Sequence, residues 1–185
     1  MADPSYIVDG VLTDSEAWVG ISTATSSGST ATFTFTSTDD GQVGDFSQYM
    51  DLVLIFYVNS TGSYSKLNFN NDTGSNYAYQ NIYGNGANDY AGSGAATYFD
   101  GAWYNNTTKF GSAIVHLFDI NSGKYKSGIT QVASDADGSG NVALTATTWK
   151  SQAPITEIDI IDAGTANFLN GSTVSLFGIL PRMVA

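Results

Sequence analysis

The chain has 185 residues, 42% of them hydrophobic and only 12% charged, with a net charge of −11 from six Lys and Arg against 17 Asp and Glu. The length suits one domain with a sizeable core. The six cations are scattered from Lys66 to Arg182, which argues against nucleic acid and against an anionic membrane surface as partners, and the lack of cysteine excludes disulfides, thiolate zinc sites and cysteine nucleophiles.

Residues 1–16 read as an N-terminal arm, and 17–185 as one β-sandwich domain. Met1–Tyr6 lacks the basic and apolar regions of a signal peptide, so none is expected. The arm has no sheet pattern of its own, yet it carries Tyr6, Ile7, Val8, Val11 and Leu12. Left in water these would form an apolar patch on a hydroxyl-rich surface, so the arm is expected to dock on another chain or, as the alternative, to fold onto its own domain. Asp3, Asp9, Asp14 and Glu16 flank it and suit a basic partner surface.

Strand signals then recur to the end of the chain. Ala17–Ser22 is the first. Ala31–Ser37 alternates cleanly, with Phe33 and Phe35 on one face. Leu52–Val58 is the longest apolar run at seven residues, far short of the about twenty a membrane helix needs. It reads as a strand buried on both faces or central in a sandwich. Tyr64–Asn70 and Tyr77–Tyr83 follow. Gly84–Gly101 is rich in Gly, Ala, Asn, Asp and Tyr and alternates weakly, so it reads as a long loop at one end of the sandwich. Further strands are expected at Ala113–Ile120, Gly128–Ala133, Asn141–Trp149, Ile155–Ile161 and Thr173–Ile179. Turn residues separate them at Asn70–Gly74, Asn121–Gly123, Asp135–Gly140 and Asn170–Gly171. No long window shows helical periodicity. The expectation is an all-β, single-domain sandwich of jelly-roll type, closed by a strand whose Phe168, Leu176, Phe177 and Ile179 lie in the core or at a subunit seam.

Candidate chemistry is sparse. The one histidine, His116, lies among Ile114, Val115, Leu117 and Phe118, with no nucleophile elbow around any serine, and reads as a strand residue facing solvent or a partner. Asp100, Asp119, Glu157 and Asp159 are scattered. Glu157 and Asp159 alternate with Ile158 and Ile160, as on a strand with a wet outer face. Asp135-x-Asp137-Gly138 resembles part of a calcium loop. A glutamate is needed at the twelfth position and Ala146 stands there, so a tight turn explains it as well. No enzyme activity, metal or cofactor is expected. The notable cluster is aromatic: Tyr77, Tyr79, Tyr83, Tyr90, Tyr98, Trp103 and Tyr104. Of these, Tyr90, Tyr98, Trp103 and Tyr104 are the candidate contact residues for a protein partner or a surface glycan, with cross-strand packing as the structural alternative.

Leu67–Gln80 (LNFNNDTGSNYAYQ), followed by Tyr83-Gly84-Asn85-Gly86, resembles a pattern found in small virion structural proteins of tailed phages, frequent in phages of aquatic bacteria. Ala153–Ile158 and the closing Asn167-Phe168, Gly171-Ser172 and Leu176–Ile179 fit the same resemblance, which covers about residues 17 to 180. It implies a jelly-roll-type sandwich that forms homo-oligomers, dimers or trimers, on the particle. Lacking a fibre shaft, the chain is expected to be a capsid decoration (cement) protein on the capsid exterior, bound to the major capsid protein or other virion proteins. The alternative is a receptor-binding tail or head appendage that recognises a cell-surface glycan.

Overall fold

The computed structural model describes residues 7–8, 11–12, 18–103, 109–135, 137–164 and 166–180, the first two pairs as backbone. In the arm, β1 (Ile7–Val8) pairs antiparallel with β2 (Val11–Leu12). The arm therefore does carry a minimal hairpin, where its side-chain pattern had suggested none. The side chains of Ile7, Val8, Val11 and Leu12, together with Tyr6 and Tyr104, lie outside the described residues.

The domain is all-β, as expected. One sheet has eight strands, in the order β3 (Trp18–Thr25), β14 (Thr173–Ile179), β5 (Asp51–Val58), β10 (Gly111–Phe118), β11 (Lys126–Asp135), β12 (Gly140–Trp149), β7 (Tyr77–Gly84) and β8 (Asp89–Ala96). The other has four: β4 (Thr32–Thr36), β13 (Glu157–Asp162), β6 (Tyr64–Phe69) and β9 (Phe99–Trp103). Every pairing is antiparallel. The one 3-10 turn among the described residues, Phe46–Gln48, is capped by the Asp45 carboxylate, which accepts from Ser47 N–H at 2.9 Å.

The two sheets close on one core. Phe33, Phe35, Leu67, Phe69, Ile158 and Ile160 come from the small sheet, and Leu52, Leu54, Phe56, Val115, Leu117 and Leu176 from the large one. Alternation dictates which side chains enter: in β13, Ile158 and Ile160 are buried while Glu157 and Asp159 stay on the outer face, bonded to Thr36 and Thr34. The crossing from β6 to β7 is fixed by Asn70 and Asn71, whose φ of 52° and 59° suit asparagine, and by Asp72. Burial alone would raise the Asp72 carboxyl, but hydrogen bonds from Trp149 Nε1 (2.7 Å), Gly74 N–H and Asn76 outweigh it and hold it low. Phe69, Tyr77 and Trp149 pack together behind this corner.

One reading of the sequence is corrected and two are made more specific. Gly84–Gly101 is not a long loop. Asp89–Ala96 pairs residue for residue with β7 as the edge strand β8, and Phe99–Trp103 begins inside the same stretch as β9, paired to β6. Small residues carry no alternation to read, yet the backbone ladder forms. Of the two readings of β5, the central one holds, since it lies between β14 and β10 and feeds the core, while Ile55 and Tyr57 stand exposed on the outside of the large sheet. Of the closing segment, Phe168, ahead of β14, and Leu176 within it are core, while Phe177 and Ile179 are half-buried on the outer face, Phe177 beside Trp18 with ring centroids 6.0 Å apart. A register shift between Leu176 and Phe177 accompanies this, and Gly178 fills the inward place against Tyr49.

Candidate functional site

Two surfaces of the large sheet carry unusual chemistry. On its outer face, strand register brings Ile55, Ile114, Gln131, Leu144 and Ile82 into one line across β5, β10, β11, β12 and β7. The adjacent line is Tyr57, Ser112, Ala133, Val142 and Gly84, and the one on the other side is Val53, His116, Ile129, Ala146 and Gln80. These lines hold no Asp, Glu, Lys or Arg. Val142 is 71% exposed and Ile82 58%. An open groove of about 1240 Å³ runs over the first two lines. β12 shows how this arises. Its inward positions include Thr145 and Thr147 as well as the core residues Ala143 and Trp149, and its outward ones Val142 and Leu144, so apolar residues stand on both faces of the strand.

His116 sits at the end of this face. Its Nε2 is 2.8 Å from Asp51 Oδ2, Asp51 Oδ1 accepts from Asp119 N–H at 2.8 Å, and Phe118 stacks on the ring at 4.1 Å. The pair ties β5 to β10. Asp135 and Asp137 lie in the β11–β12 hairpin: Asp135 accepts from Gly138 N–H, Asp137 pairs with Lys109 at 3.0 Å, and positive φ at Asp137, Gly138 and Gly140 closes the turn.

The second surface lies on the inner face of β7, where the large sheet runs on past β9, the edge of the small one. Alternation in β7 turns Tyr77, Tyr79, Asn81 and Tyr83 inward. Tyr77 is fully buried, its phenol pushed up to about 12 by burial. Beyond it the described residues leave a cleft of about 390 Å³ lined by Tyr79, Asn81, Tyr83 and Asn85 of the β7 side, Ser63 and Tyr64 at the start of β6, Tyr98, Asp100 and Trp103 of the β9 side, and Asn141 of β12. The rings brace one another. Tyr83 meets Trp103 edge to face at 5.0 Å and stacks on Tyr90 at 4.6 Å, and the Tyr64 and Tyr98 hydroxyls are 3.3 Å apart. Burial raises the Tyr98 phenol, helped by Tyr64. Burial also raises the Asp100 carboxyl, which the Thr145 hydroxyl offsets in part.

No protein-family model, curated protein or solved structure matches this chain.

Of the residues singled out in the sequence, Tyr98 and Trp103 meet in the cleft and Tyr90 backs its wall through Tyr83. Sequence reasoning missed Asn81 and Asn141 as site residues and weighed Asp100 only as a catalytic acid. Asn141 lies far along the chain from the tyrosines, and only the β12–β7 pairing brings it to them. A polar residue at the inward end of a strand whose outward positions are apolar was the available signal.

Proposed function

We propose that this chain is a structural protein of a phage particle, a decoration protein on the capsid exterior, attached through the outer face of its large sheet. The observation that carries this reading is the uncharged, largely apolar character of the central rows of that face, with Asp51, Asp89 and Asp135 only at their margins. A protein with 17 acidic side chains leaves three adjacent rows across five strands free of them. Five strands span about 19 Å, and contiguous apolar surface of several hundred Å² marks an interaction site rather than ordinary solvent-facing sheet. Two copies of an acidic protein, or one copy and a shell, approach each other most easily where neither presents like charge. The sequence resemblance to small virion proteins, and the apolar arm with its acidic flanks, support the same partner: the major capsid protein or its neighbours, with copies of this chain associated on the shell.

The test is co-sedimentation with capsids purified without this protein. Ile82 and Leu144 are exposed, so Ile82→Lys and Leu144→Lys together are expected to keep the melting transition and to lower capsid occupancy about tenfold or more. Wild-type occupancy by this folded variant would overturn the reading.

A further inference from the structure

We infer that the cleft between β7 and β9 is a binding site for an uncharged sugar, taking one pyranose ring or the end of a neutral oligosaccharide. This goes beyond the assembly role and does not rest on it. Successive side chains of β7 point to opposite faces, so Asn81 and Tyr83 look into the cleft while Ile82 belongs to the apolar outer face. The cleft stays open when that face is covered.

A pyranose has two chemistries: patches of C–H on its ring faces and hydroxyls at its rim. The cleft offers a surface for each. Tyr79, Tyr83, Tyr98 and Trp103 provide aromatic walls, rigid apolar area held at little cost in conformational freedom. Asp100 and Asn141 provide the polar lining. Both are more than nine-tenths buried as residues, at 9% and 8% exposure. The Asn141 side-chain amide makes no hydrogen bond among the described residues. The amide is not among the fully buried atoms that lack a partner; it lines the cleft and presents two donors and one acceptor to whatever occupies it. A carboxylate beside an amide is the pair that vicinal hydroxyls can bridge, donating to one and accepting from the other. The volume of about 390 Å³ falls at the small end of ligand pockets.

Charge selects the class. Anionic ligands such as phosphates, sulfated sugars or sialylated glycans meet a chain of net charge −11 and Asp100 in the cleft itself. The nearby cation, Lys66, already sits over the Tyr98 ring at 5.0 Å and the Tyr64 ring at 6.0 Å.

The experiment presents purified full-length protein to an array of neutral and acidic oligosaccharides. The neutral hit is then titrated as its methyl glycoside, with binding read by calorimetry and by the side-chain amide NMR signals of Asn81 and Asn141. The expected result is binding of a neutral glycan with millimolar or tighter Kd. Both amide signals should shift, and affinity should fall about tenfold or more in Asn141→Ala and in Trp103→Ala. Should either variant fail to fold, the amide shifts in the wild-type protein decide alone. Binding confined to acidic glycans, no neutral binding at millimolar concentration, or saturation without movement of the two amide signals would each overturn the assignment. Ile82→Lys with Leu144→Lys is expected to leave sugar binding unchanged, so loss of capsid attachment and loss of sugar binding are separately read.

Discussion

Truncating Phe168 should cost the domain far more than truncating Phe177, although the two look alike in the sequence. Phe168 is fully buried where the chain passes from β13 to β14. Its ring lies 4.8 Å from that of Phe33, its N–H donates to Thr30 C=O at 2.8 Å, and its C=O accepts from the Ser26 hydroxyl at 2.7 Å. The backbone bonds survive a change to alanine, so Phe168→Ala removes packing alone and leaves a ring-sized void between the sheets. Such changes cost about 3–5 kcal/mol. At about 2–4 °C per kcal/mol for a domain of this size, the melting temperature should fall by about 6–20 °C. Phe177 is half-exposed beside Trp18 on the outer face. Its truncation opens no cavity and should cost about 1–2 kcal/mol, a fall of about 2–8 °C. Scanning calorimetry of both variants at one pH decides the matter. A smaller loss for Phe168→Ala than for Phe177→Ala would refute the placement of the two rings, and with it the account of how β14 closes the core.

Gly178→Ala is expected to lower the melting temperature, because a Cβ there would run into the ring of Tyr49, which is 3% exposed and whose hydroxyl donates to Val43 C=O at 2.7 Å. Overpacking of this kind costs about 1–3 kcal/mol, and a thermal melt unchanged from wild type would count against it. Asp100 gives a pH test. Burial raises its carboxyl in the folded protein, so between its unfolded and folded values the native state holds the extra proton. Its contribution to stability is complete below the ordinary carboxylate value and is lost as pH rises through the raised one. Asp100→Asn lacks that loss, so its melting temperature relative to wild type should climb from pH 3 towards pH 7; a difference that is flat or falls over this range contradicts the burial argument.

Much of the fold was legible because burial and alternation coincide. Phe33 and Phe35 in β4, and Ile158 and Ile160 in β13, announce their strands and their inward faces. Alternation fails where the polarity of a strand is not that of a core facing water. In β12 Val142 and Leu144 point outward while Ala143 and Trp149 point into the core, so apolar residues stand on both faces and do not say which one is buried. In β5 the apolar run is continuous because both faces are apolar, one against the core and one on the surface. In β8, Gly92 and Gly94 have no side chain and Ala95 only a methyl group with which to declare a face, and hydrogen bonding to β7 defines the strand. The cleft was half legible. Tyr98 and Trp103 stood out by density of aromatics, while Asn141 enters through a long-range pairing that no local window contains.

The position of the last two strands has a consequence for how the protein comes into being. β14 lies between β3 and β5, and β13 between β4 and β6. Neither β3 nor β4 has another strand partner in its sheet, so each waits for a segment at the far end of the domain: Trp18 for Ile179, Thr36 for Glu157. During synthesis from the N-terminus, Phe33 and Phe35 are therefore expected to stay without a sheet until nearly the whole chain has emerged. Closing such distant pairs is entropically late and slow. The same layout makes each sheet interlocked, since peeling away β13 or β14 frees β4 or β3 along with it. A protease that nicks the late segment should thus unfasten both ends of the domain at once.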